Sequence, residues 1–130
     1  MTRFTQMLAV VTLFILAVGG STPPALAHGS LKPVHGGVVQ LVGEMSFELV
    51  ARPDGVEVYL IYDAEDLSSD GITGNIKVSK DGAVTSAKLE PAGGNKLVGK
   101  GVSLSSGARA LVFITLKDGV TRSSARFTIK

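Results

Sequence analysis

A chain of 130 residues with no cysteine, no tryptophan and only 5% aromatic side chains excludes thiolate metal sites and disulfide-stapled scaffolds. It also lacks the stacking platforms that carbohydrate and single-stranded nucleic-acid binders use. Thirteen Lys and Arg against eleven Asp and Glu leave a formal charge of +2, and no run of Lys or Arg points to nucleic acid or an anionic membrane.

The first 27 residues read as a secretory signal peptide. Arg3 gives a weakly basic start, Met7 to Val18 is apolar, and Gly19 to Pro24 interrupts the run. Ala25-Leu26-Ala27 then supplies the small-x-small pattern that signal peptidase accepts. An apolar stretch of about twelve residues falls short of the ~20 needed to span a bilayer. The expectation is therefore a periplasmic or secreted protein that starts at His28 and has no stable membrane span after cleavage. An N-terminal arm, residues 28–34, precedes one domain over 35–130, of the size that buries a single core.

Behind the arm, short alternating runs are separated by turn residues, the pattern of an all-β protein. Val38 to Val42 is a first strand, closed by Gly43-Glu44. Met45 to Arg52 alternates, with Met45, Phe47, Leu49 and Ala51 on one side and Ser46, Glu48, Val50 and Arg52 on the other. Pro53-Asp54-Gly55 turns the chain into the strongly β-prone Val56 to Tyr62. Residues 63–74, acidic at Asp63, Glu65, Asp66 and Asp70, read as a long solvated loop. They lack the Asp-x-Asp-x-Asp-Gly order of an EF-hand. Asn75 to Ser79 and Ala83 to Leu89 flank an Asp81-Gly82 hairpin turn. Lys96 to Gly99, Ala108 to Leu116 and Val120 to Lys130 complete about eight strands. That number in about a hundred residues suits a single antiparallel β-sandwich of immunoglobulin-like architecture.

The two histidines carry the chemistry. Once cleavage follows Ala27, His28 presents an α-amine and an imidazole on one residue, and His35 lies seven residues on. Three nitrogens suit Cu(II), with Zn(II) or Ni(II) also possible. Met45 offers a thioether and Glu48 a carboxylate as supporting ligands. On alternation Met45 shares the side of Phe47 and Leu49 and reads first as core, whereas Glu48 reads as solvated or paired with Arg52. No nucleophile elbow, phosphate loop or flanked carboxylate pair is present, so no enzyme is expected.

His35-Gly36-Gly37-Val38-Val39 and Phe47-Glu48-Leu49-Val50-Ala51-Arg52-Pro53-Asp54-Gly55 carry a resemblance. They are similar to the small β-rich domain found in periplasmic adaptor subunits of heavy-metal efflux pumps. Gly71 to Val78, Lys88 to Leu97 and Arg126 to Lys130 extend the likeness over residues 34–130. The resemblance implies a periplasmic β-sandwich of metal homeostasis, with His35 and Glu48 at the family's marked positions. Where many relatives have a histidine two residues before that glutamate, this chain has Ser46. The expected function is a non-enzymatic metal-binding or metal-efflux accessory protein with copper or zinc as its ion. Its ligands would be His28 and His35 with Glu48 or Met45 in support, and its partner an efflux adaptor or other envelope protein. The rival expectation is a protein-interaction module that has kept the sandwich and lost the metal.

Overall fold

Turn chemistry and strand periodicity divide the chain into nine strands in the computed structural model, which describes Gly20 and residues 32–130. Apart from Gly20, the signal peptide expected over residues 1–27, His28 and residues 29–31 of the expected arm therefore lie outside the described residues. The strands are β1 (Val38–Val42), β2 (Met45–Arg52), β3 (Gly55–Tyr62), β4 (Glu65–Asp66), β5 (Thr73–Lys80), β6 (Ala83–Pro91), β7 (Lys96–Lys100), β8 (Arg109–Thr115) and β9 (Arg122–Thr128). Among the described residues no helix is long and apolar enough to cross a membrane.

All pairings are antiparallel, in the order β1-β2-β3-β7-β6-β5-β8-β9, with β4 added beside β3. The all-β antiparallel fold expected from the sequence is the one observed, and β6 links its two packed halves. Ala83 to Leu89 pairs with β5, and then Glu90 and Pro91 pair with Val98 and Leu97 of β7. Strands β1 and β9 approach each other at the remaining gap, so the sheet curls into a nearly closed barrel. Closure removes most of the exposed strand edge.

Period-two alternation decides what the barrel encloses. Phe47, Leu49, Val58 and Leu60 from one half meet Ile76, Val112, Ile114 and Phe127 from the other, and all are buried. Ile72, Val102 and Ala108 come from the connections and join the same core. The acidic segment is more ordered than a plain loop. Asp63 and Ala64 take positive φ values of 49° and 64°, which makes a tight two-residue turn from β3 into β4. The four acids stay exposed while Ile72 and Ser69 are buried behind them.

Strand β2 departs from simple alternation, because Ser46, Glu48 and Val50 are buried as well as Met45, Phe47 and Leu49. The inner set faces the core, and on the outer side the incoming chain at residues 34–37 meets Glu48 and Val50. Phe47 sits at the centre of this doubly covered strand with 0% exposure. Phe47→Ala is expected to lower unfolding stability by about 3–5 kcal/mol, read as a fall in urea midpoint. A change under about 1 kcal/mol would show that this strand is not the centre of the core.

Candidate functional site

A two-residue turn at Pro53-Asp54, with Arg52 opposite Gly55, sets the register of β2 against β3 and places Glu48 directly opposite Tyr59. Val39 of β1 and Lys96 of β7 extend the same row across the outer face. The chain before β1 then folds over this row.

The fold-over depends on two glycines. Gly36 has a φ of 75°, a left-handed conformation that costs other residues about 1–2 kcal/mol. Gly37 lies so close to β2 that a Cβ would stand 2.3 Å from the Leu49 carbonyl oxygen and 2.8 Å from Val50 Cγ2. With both in place, three amides at the junction of the arm and β1 reach one carboxylate. The Val34 amide donates to Glu48 Oε2 at 3.2 Å, and the His35 and Gly37 amides donate to Oε1 at 2.7 and 3.1 Å. The His35 ring closes the set, with Nδ1 2.9 Å from Oε2. Its face stacks on Tyr59, the centroids 3.5 Å apart and the planes 6° from parallel.

Glu48 is therefore neither solvated nor paired with Arg52, which corrects the expectation from alternation alone. Burial raises the pKa of its carboxyl, but the bond from the His35 ring and the amides of Gly37, His35 and Val34 outweigh burial and bring it below its ordinary 4.5. Arg52 instead pairs with Glu57 Oε2 at 2.9 Å, and Lys96 stands 4.0 Å from Oε1 of the same carboxylate. The Tyr59 hydroxyl donates to Glu57 Oε2 at 2.6 Å, which raises the phenol's pKa. This belt holds the Tyr59 ring flat beneath His35.

Of the four residues singled out as ligands, the structure brings His35 and Glu48 together. Met45 is 4% exposed and packs in the core, on the opposite side of β2 from Glu48. His28 lies outside the described residues. Beside the clasp runs a groove of roughly 390 Å³, lined among others by Lys32, Ser46, Tyr59, Ile61, Asp66 and Asn95. Ser46 thus faces the same groove as His35. Among the described residues no three His, Cys, Asp or Glu side chains converge to hold an ion. Sequence reading missed Tyr59. Counting back across the Pro53-Asp54 turn from Arg52 and Gly55 would have found it opposite Glu48.

Two outcomes follow from the clasp. Because the Glu48 carboxyl sits below its ordinary value in the fold, its bonds stabilise fully above about 4.5 and fade as pH falls through the lower folded value. Glu48→Gln should cost about 1.5–3 kcal/mol near neutral pH, with the gap between native and variant narrowing in acid denaturation profiles. A gap independent of pH would show that the charge is not what holds the arm. Gly37→Ala should cost about 1–3 kcal/mol and loosen residues 34–37, read as faster amide hydrogen exchange there. Unchanged exchange would refute the close approach.

No family model matches the chain, and neither the curated proteins nor the solved structures contain a match to it.

Proposed function

We propose that this chain is an exported, non-enzymatic accessory domain of copper or zinc handling, which takes the ion at Nε2 of His35. The observation that supports the reading is the way the ring is held. An ionised carboxylate can only accept a hydrogen bond, so Glu48 keeps the hydrogen on Nδ1 and leaves the lone pair of the neutral ring on Nε2. The bond to Glu48 Oε2 engages Nδ1, and Nε2 lies on the other edge of the ring. A carboxylate behind an imidazole in this manner sets its tautomer and raises its basicity as a ligand.

One imidazole does not retain an ion, and among the described residues no three His, Cys, Asp or Glu side chains converge to hold one. In this reading the remaining donors are the α-amine and imidazole of His28. At roughly 3.3–3.6 Å per extended residue, the arm is long enough to fold that terminus back onto the groove. Glu48 acts behind His35 and is not itself a ligand, since four donors already occupy it. A site with few donors at an exposed corner suits an ion in transit, passed to an efflux adaptor or another envelope protein.

A second reading keeps the fold and drops the ion. The full commitment of Glu48 to the arm favours it, because the His35–Glu48 pair is then a structural fastening on an interaction module.

Calorimetric titration of Cu(II) and Zn(II) into chain with an authentic His28 terminus separates the two. The metal reading expects micromolar or tighter binding that His35→Ala abolishes and Glu48→Gln weakens roughly 10–100-fold. Ser46→His should tighten it by supplying a second imidazole to the groove. Absence of binding by the native terminus, or binding indifferent to His35→Ala, would leave the interaction module as the better account.

A further inference from the structure

A second face of the barrel carries chemistry that the His35 site does not use. Eight of the eleven carboxylates lie before residue 71, whereas ten of the thirteen Lys and Arg lie after it. Strands β5, β8 and β9 contain no acidic residue. Their outward positions hold Lys77 on β5, Arg109 on β8, and Arg122 and Arg126 on β9, all exposed. Among the described residues none of these four has an ion-pair partner. The register sets Lys77 and Arg126 on either side of Leu111, about 10 Å apart across two strand spacings. Arg109 follows two residues along β8 on the same face. Among and beside the cations are apolar side chains that the fold leaves in solvent, Phe113 on β8 at 41% and Val84 on the neighbouring β6 at 64% exposure. Lys77, Val84, Arg109, Leu111 and Arg126 together line a shallow trough of roughly 440 Å³.

We infer that this face is a docking surface for an anionic phospholipid bilayer. Four features favour that occupant. The cations are unopposed, so desolvating them against phosphate breaks no ion pair. The apolar groups stand among them, and an interface between headgroups and acyl chains accepts both kinds of side chain at once. β5 and β8 are paired on both sides, and β9 turns its outer edge toward β1. A peptide therefore has little free edge on which to add as a strand. The acidic β3–β4 turn, with Asp63, Glu65 and Asp66, belongs to the other half of the barrel. Over a uniformly negative plane this polarity turns β5, β8 and β9 downward. The inference is independent of the metal reading, whose residues lie on β2, β3 and the arm.

Vesicle flotation of the full chain tests it, with phosphatidylglycerol–phosphatidylcholine vesicles against phosphatidylcholine alone. The variant Lys77→Gln, Arg109→Gln, Arg126→Gln is the comparison. Both chains keep residues 1–31, so the difference between them reads the sheet face. Each cation near an anionic surface is worth roughly fivefold in partition. The triple variant should therefore lose on the order of a hundredfold of its preference for anionic vesicles. The native preference should also fade in ~1 M salt, where the Debye length falls to about 3 Å. The three side chains are exposed and unpaired, so circular dichroism should be unchanged. If the triple variant misfolds, Arg126→Gln alone should show the same sign at about fivefold. Equal partition of the native chain into both vesicle types overturns the inference, as does equal anionic partition of native and variant. Retention on immobilised polyglutamate without flotation overturns it too, and assigns the face to an acidic protein.

Discussion

A carboxylate buried on the outer side of β2 sets the terms for the N-terminal part of this domain. Glu48 is 6% exposed, and a desolvated charge is stable only where donors converge on it. The chain meets that demand locally, with the amides of Val34, His35 and Gly37 and the ring of His35. To present three amides within four residues, the backbone must turn left-handed at Gly36 and run against β2 at Gly37. The His-Gly-Gly sequence is therefore a geometric requirement of the glutamate. The path of the arm, the start of β1 and the orientation of the His35 ring all follow from it.

The same arrangement explains how an exposed histidine becomes a well-defined donor. An imidazole at the end of a free arm samples many rotamers, and any ligand must order it first. Here one edge is bonded to Glu48 and one face lies on Tyr59, which the Glu57, Arg52 and Lys96 belt holds in turn. That ordering is supplied by folding. The ring then offers a single nitrogen in a single direction, which suits metal capture and equally suits a fixed contact in an interface.

Antiparallel curling gives the domain two outer faces with opposite electrostatic character. On the side of β2 and β3, acids are buried, bonded or gathered near the β3–β4 turn. On the side of β5, β8 and β9, cations stand alone among apolar groups. Near-neutral net charge conceals this separation, because long-range steering depends on where charges sit as well as on their sum. One end of the molecule can thus engage a negative surface while the His35 corner stays clear of it.

Eight of the nine strands, most of their turns and the all-β class were legible from the sequence, since alternation and Asp-Gly or Pro-Asp turns are local signals, whereas the two-residue β4 fell within what read as a loop. So were the inward set of β2 and the reading of Met45 as core before ligand. Glu48 was misread because period-two alternation assigns a residue to a side of the strand but does not say what covers that side. The basic face was invisible for a similar reason. Its cations come one or two to a strand, at positions 77, 109, 122 and 126, and only lateral pairing of β5, β8 and β9 makes them neighbours. By itself, then, the sequence determined which segments extend, where they turn and which side of each is apolar, all consequences of local backbone and side-chain chemistry. Only the tertiary structure decided that residues 34–37 close over Glu48, that Tyr59 lies under His35 and that the cations share one outer face, because those contacts join residues distant along the chain.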